Sequence, residues 1–267
     1  MTIFVRASIA IWYREMLRFW RDKARVASTF VFPLIALFIL GYGVAPLVSE
    51  WAALGGVSYI SFIFPGVIGM NIIMTSIMMG TSVVWDREFG FLRGAQVAPV
   101  GGLAVLIGKI LGGSTIASVQ GLLLLVFTRW AGIQLSLPLV AALIGLALLI
   151  SLAMTGMGIA VALCIRSVEG YHSIMQFAGI AMVFLGGAFF PVQDVPTWMI
   201  WLAIINPASY AIDLLRHITL QFQGGEVVAL NSLVLLGHVP SVVEELLVIT
   251  LIGLVTLMVS ALLFSHR

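Results

Sequence analysis

Trp85-Asp86-Arg87-Glu88-Phe89-Gly90-Phe91-Leu92-Arg93-Gly94-Ala95-Gln96-Val97-Ala98-Pro99-Val100 is a short charged island between two long apolar runs. Residues 51–84 before it carry no charge, and after it only Lys109 interrupts the chain before Arg129. A segment this short cannot bury a core of its own. It must turn the chain at a membrane surface or be read by a partner, and its residues suit both tasks.

The composition around the island decides the solvent. Hydrophobic residues make up 61% of the 267 positions and charged residues 9%, against roughly 25% charged in an ordinary soluble domain; the mean hydropathy is +1.16. So few charges cannot cover a soluble surface, so the expected class is an all-α integral membrane protein. A net charge of +2 gives no reason to expect nucleic acid. The single cysteine, Cys164, lies in an apolar run, where a buried inert thiol is expected and no disulfide within the chain is possible. No cleavable signal is expected, because the Arg-rich start precedes an apolar run too long for a signal core.

Working outward from the island, residues 8–25 read as an amphipathic helix lying in the headgroup layer. Ile9, Trp12, Tyr13, Met16, Leu17 and Trp20 share one face, and Arg14, Arg18, Arg21 and Arg25 share the other, suited to lipid phosphates. Six spans are expected, at 26–49, 59–84, 101–128, 137–165, 173–190 and 246–264, from charge-free runs of about 20 residues. Between the fifth and sixth, Pro191, Asp194, Pro196, Pro207 and Asp213 punctuate apolar sequence too densely for one straight helix. Residues 191–220 therefore predict one or two short re-entrant helices on the outer side. Residues 221–240 read as a polar loop.

Six spans place both termini on one side. Sorted by this topology, eleven Lys and Arg residues fall with the termini and island, and only Arg129 and Arg216 fall opposite. The positive-inside rule puts the termini and residues 85–100 in the cytoplasm. With no repeat or linker, residues 1–267 read as one transmembrane domain.

A search for chemistry gives mostly negatives. His172, His217, His238 and His266 show no metal-ligand spacing, so no metal and no catalytic residue are expected. Gly108-Lys109 resembles the end of a phosphate loop, but Ile110 stands where Ser or Thr must hold magnesium. The third span offers small residues at close-packing intervals: Gly108 and Gly112, then Gly113, Ala117 and Gly121. They suit packing within the subunit or a seam between two subunits. A thinly polar stripe of Asn71, Thr75, Met78 and Ser82 on the second span, with Gln176, Gly179 and Phe184 on the fifth, suits the wall of a path for a greasy solute. Interhelical hydrogen bonds and core methionines are the plainer use of the same residues.

Within the island, Asp86 is placed to cap a helix ending at Arg93 and Gly94, with Phe89 and Leu92 on one face. Phenylalanines between charges on a surface loop suit a partner or anchorage in the headgroups. Here the sequence resembles the membrane subunits of type-2 ABC exporters, the family of drug-resistance, nodulation and polysaccharide-export permeases. Their loop after the second span reads Glu-Arg-Glu-x-Gly-Thr-Leu-Glu-x-Leu-x-x-Ser-Pro; Arg87, Glu88, Gly90, Leu92 and Pro99 match and Asp86 stands in for the first acid. Asn206-Pro207-Ala208-Ser209-Tyr210-Ala211-Ile212-Asp213-Leu214-Leu215-Arg216 resembles their Asn-Pro-Leu-Thr-Tyr-x-x-Asp-x-x-Arg segment. Phe91 and Arg93 depart from that pattern.

The resemblance implies an exporter half in a bacterial or archaeal cytoplasmic membrane. Two copies would sit on two separate ATPase subunits, which alone bind ATP and magnesium; this chain would hold no cofactor. Asp86, Arg87, Glu88, Phe89, Phe91, Leu92 and Arg93 would form the ATPase-coupling helix, flanked by the helix of Arg14, Arg18, Arg21 and Arg25. Asn71, Thr75, Met78, Gln176 and Phe184 would line the pathway at the dimer interface, and 191–220 would gate it. The solute would be amphipathic, lipidic or drug-like, or a lipid-linked saccharide. A lipid-modifying membrane enzyme would need clustered acids or histidines at a membrane face, and an ion-coupled carrier an intramembrane charge; neither feature is visible in the sequence.

Overall fold

A computed structural model describes residues 2–48, 58–89, 102–192, 195–223, 233 and 239–265. Among these the chain forms helices and turns, with no strand. The helices are α1 (Thr2–Arg21), α2 (Lys23–Phe38), α3 (Tyr59–Met78), α4 (Thr81–Glu88), α5 (Gly102–Leu123), α6 (Leu137–Cys164), α7 (Val168–Leu185), α8 (Thr197–Ile205), α9 (Pro207–Gln221) and α10 (Val242–Ser265). A π-helical turn, Ile39–Val44, and a last α turn, Ala45–Val48, continue α2.

The middle of the bundle is α3, which packs against α2, α5, α6, α7 and α9. Its most apolar window is 83% buried, against 17% for that of α10, which forms the periphery. A helix that is apolar on every side belongs inside, and its glycines admit neighbours at backbone distance. A Cβ on Gly66 would lie 2.3 Å from the Ala188 carbonyl oxygen. Local signals set the helix starts. The Oγ atoms of Ser58, Ser136 and Ser167 accept from the amides of Ser61, Leu139 and Gly170, satisfying donors that a helix start leaves open.

Four helical stretches are long and apolar enough to cross a membrane: Tyr59–Glu88, Gly102–Phe127, Leu137–Cys164 and Val242–Phe264. A fifth counts if α8 and α9, which meet at 87°, are one broken span. Asn206 makes the break: it ends α8, and its Oδ1 accepts from the Ala208 amide to start α9. Pro207, with no N–H, suits a first helical turn and cannot continue α8. The spans expected at 26–49 and 173–190 fall on shorter elements. The apolar part of the first is Val31–Leu47, and α7 has 18 residues, about 27 Å of rise.

Two expectations are corrected. Asp86 does not begin a helix: α4 starts at Thr81 and ends at Glu88, so Asp86 sits in its last turn, its carboxylate taken by basic side chains instead of amides. Cys164 is exposed, because it ends α6 on the side away from buried Ala162 and Leu163.

Candidate functional site: an ion cluster beneath the charged hairpin

The end of α4 is tied down by three elements distant in sequence. Arg14 Nη2 lies 2.5 Å from Asp86 Oδ2 and 2.8 Å from Glu15 Oε1. Lys109 Nζ lies 2.7 Å from Asp86 Oδ2 and 3.3 Å from Glu15 Oε1, and also donates to the Ser82 carbonyl at 3.1 Å and its Oγ at 3.0 Å. The Lys109 side chain is wholly buried, so the lysine that mimicked a phosphate loop is spent on two carboxylates. Two acids and two permanent cations make the group neutral. Burial pushes the Glu15 carboxyl up, but Lys109 and Arg14 outweigh it and hold Glu15 below its ordinary range.

The helix carrying Arg14 and Glu15 packs along α5. Ser8 donates to the Ala104 carbonyl, and Trp12 Nε1 to Thr115 Oγ1. Gly108 and Gly112 make the groove: a Cβ on either would lie 2.6 Å from Ile11 Cβ or 2.9 Å from Glu15 Cβ. Gly113 and Gly121 receive Met79, Thr155 and Ile72 in the same way. These small residues therefore pack within the subunit. The buried face of α1 is Ser8, Glu15 and Phe19, while Ile9, Tyr13, Leu17 and Trp20 stay exposed.

The arginine stripe divides. Arg14 points at Asp86, and the Arg18 guanidinium stacks 4.8 Å over the Trp85 ring, so these two serve the hairpin. Arg21 is exposed beside Asp22; the Arg25 side chain lies outside the described residues. The island divides as well. Arg87 donates to the carbonyls of Leu163 and Ile165 and closes the end of α6. Glu88 is exposed, and Phe89, tilted against Trp85 with centroids 5.1 Å apart, is 71% exposed. Asp86 and Arg87 thus anchor the hairpin, while Trp85, Glu88 and Phe89 present an aromatic and acidic face. Phe91, Leu92 and Arg93 lie outside the described residues.

The pathway candidates separate likewise. Asn71 is buried, and Thr75 Oγ1 donates to Gln120 Oε1 of α5 at 2.8 Å; Met78 is half-buried. Gln176 and Phe184 are exposed on α7 together with Ile174, Phe177 and Ile180.

A second ion cluster escaped the sequence reading, which saw no grouped acids or histidines. Asp213 and His217 on α9 and Glu245 on α10 bring their polar atoms within 4.8 Å of one another, all buried. The signal was the i, i+4 spacing of Asp213 and His217; Glu245 enters only through the packing of α10 on α9. Arg216 Nη1 stands 3.7 Å from Asp213 Oδ1 and is the permanent cation beside the group.

Among the described residues the chain is a helical bundle with several helices long enough to cross a membrane, and the end of α4 is tied to α1, α5 and α6. The family model for the ABC-2 type transporter matches residues 6–220, and the chain belongs to that family. It is 27% identical over 223 residues to nodulation protein J of Rhizobium leguminosarum bv. viciae, covering 78% of this chain and 80% of that one. It is 26% identical over 164 residues to the putative transport permease ycf38 of Cyanophora paradoxa, covering 60% of this chain and 56% of that one. It is 28% identical over 163 residues to the probable multidrug ABC transporter permease YbhR of Escherichia coli, covering 60% of this chain and 44% of that one. The matches to the last two thus span about half of each relative's length. The protein is a multi-pass ABC transporter membrane subunit, of a family that works with an ABC ATPase; two of these three relatives are named as permeases.

Proposed function

We propose that two copies of this chain, on two ATPase subunits that bind ATP and magnesium, form an exporter for an amphipathic, lipidic or drug-like solute in a bacterial or archaeal cytoplasmic membrane. The observation that carries this reading is the division of labour in the hairpin. Asp86 and Arg87 hold it rigidly to α1, α5 and α6, while Glu88 and Phe89 face outward. A rigid lever with an exposed aromatic tip is what a docking ATPase needs in order to move helices. The anchor joins α4 to α1 and α5, so a push on Phe89 moves all three together. The exposed apolar face of α7, with Gln176 and Phe184, is the proposed seat of the second copy and the side of the pathway. Asn71, Thr75 and Met78 reach that pathway from behind it, along α3. The bent pair α8–α9 serves as the outer gate.

The test is ATP turnover and transport by the permease co-purified with its ATPase in proteoliposomes. The isolated chain should show no turnover. Phe89→Ala with Leu92→Ala should lower coupled transport about 10-fold or more, as loss of an aromatic anchor does, while membrane insertion is unchanged. Turnover by the isolated chain, or normal coupling in the double variant, would refute the reading.

A further inference from the structure

We propose that the Asp213–Arg216–His217–Glu245 cluster is a proton-binding site that locks the bent helix pair to the last helix. Arg216 is wholly buried and its place is fixed. Its Nη2 donates to the Gly187 carbonyl at 2.8 Å, its Nε to the Phe62 carbonyl at 3.3 Å, and its guanidinium lies 3.9 Å over the Phe62 ring. Gly187 presents that carbonyl from a left-handed backbone, φ +74°, which favours glycine. Arg216 supplies one permanent positive charge against two buried carboxylates, Asp213 and Glu245. The cluster becomes neutral only when it holds one more unit of positive charge.

His217 Nδ1 stands 3.1 Å from Glu245 Oε2, so a single proton between them completes the balance. A divalent ion there would leave the site net positive beside a fixed guanidinium, whereas a proton leaves it neutral. Losing the proton strands a net negative charge away from water, which is costly. Because His217 lies on α9 and Glu245 on α10, that charge loosens the contact between those two helices. Among the described residues the other titratable group facing the site is Tyr210, one turn before Asp213, whose hydroxyl donates to the Ile204 carbonyl; α3 contributes the Phe62 carbonyl and ring. The sign follows from linkage. The folded state binds a proton that the unfolded chain releases above about pH 6.5, so stability is complete on the acid side and falls as the pH rises.

The test uses the purified permease in detergent, where both faces meet the same buffer and no ATPase is required, so it stands apart from the proposed orientation and coupling. Thermal unfolding midpoints are measured from pH 5.5 to 8.5. The wild type should unfold several degrees higher at the acid end. Glu245→Gln and Asp213→Asn should each flatten that profile by removing the excess carboxylate, and the second keeps the question open if the first fails to fold. His217→Gln, which leaves the excess carboxylate in place, should keep a slope. A flat wild-type profile, or a Glu245→Gln profile with the wild-type slope, would overturn the proposal. So would stabilisation by added zinc or manganese chloride at constant pH that both carboxylate variants abolish, because the occupant would then be a metal ion.

Discussion

The two buried ion clusters, one under the charged hairpin and one where α9 meets α10, each contain two acids, yet they differ in their cations. Arg14 and Lys109 face Glu15 and Asp86, two basic side chains against two acids. Asp213 and Glu245 face one permanent cation, Arg216, and need one more proton to balance, with His217 placed beside Glu245 to share it. If the first cluster is the proposed coupling joint, it should be indifferent to pH near neutrality. A contact built around histidine answers to pH between about 5 and 8. The same ingredients thus give a rigid joint at one place and a conditional one at the other.

The strongest way to break this contrast is to remove the buried cation from each cluster. Arg216→Met and Lys109→Met should each destabilise by about 3–5 kcal/mol, the cost of leaving buried charge uncompensated. Arg216→Met should be the more severe, because Arg216 also holds two backbone carbonyls and the Phe62 ring. Thermal unfolding of the purified variants across pH checks the difference. The Lys109→Met defect should be constant from pH 6 to 8 and eased by a second change, Glu15→Gln. The Arg216→Met defect should ease as pH falls, when added protons replace the lost cation. Equal pH slopes in the two variants would erase the distinction.

A smaller effect tests whether the first joint depends on how closely α1 approaches α5. A Cβ on Gly112 would lie 2.9 Å from Glu15 Cβ, so Gly112→Leu must push α1 outward and lengthen the Glu15–Lys109 contact. The expected cost is about 1–3 kcal/mol, as for other overpacked sites. Gly145→Leu, where an added Cβ meets nothing within 4 Å, is the matched control and should change little. A Gly112 variant as stable as this control would mean that the groove is slack.

How much of this was legible in the sequence depended on separation along the chain. The apolar runs announced the helices of the bundle, and Asn206-Pro207 announced the bend, because a cap and a missing N–H act locally. The small residues Gly108 and Gly112 announced a groove but not that α1 would fill it. The island reads as a surface for a partner or a headgroup anchor, but its sequence points Asp86 to capping, since nothing local shows that Arg14 and Lys109 converge on it from 72 and 23 positions away. The cluster of Asp213, Arg216, His217 and Glu245 went unseen for the same reason. Asp213 and His217 are one helical turn apart, but Glu245 arrives only when α10 packs on α9. The span count was the least legible: α2 and α7 are apolar, yet their lengths follow from a π-helical turn and from the Gly186-Gly187 turn rather than from hydropathy.

The smallest expected effect bounds the pH-indifference of the first joint. Glu15 is held below its ordinary carboxylate range because Lys109 and Arg14 outweigh the burial that pushes it up. Its folded form therefore resists protonation more than the unfolded chain does. For a depressed acid, the stabilisation is fully present above the unfolded value, near 4.5, and is lost as pH falls through the lower folded one. The wild-type permease should thus lose stability only below about pH 4 from this source, well clear of the range in which the histidine cluster acts. Glu15→Gln should remove that acid-side loss while leaving the slope above pH 6 untouched. If Glu15→Gln instead changed the slope above pH 6, the two clusters would be coupled through α3 and α5, and the rigid joint would not be rigid.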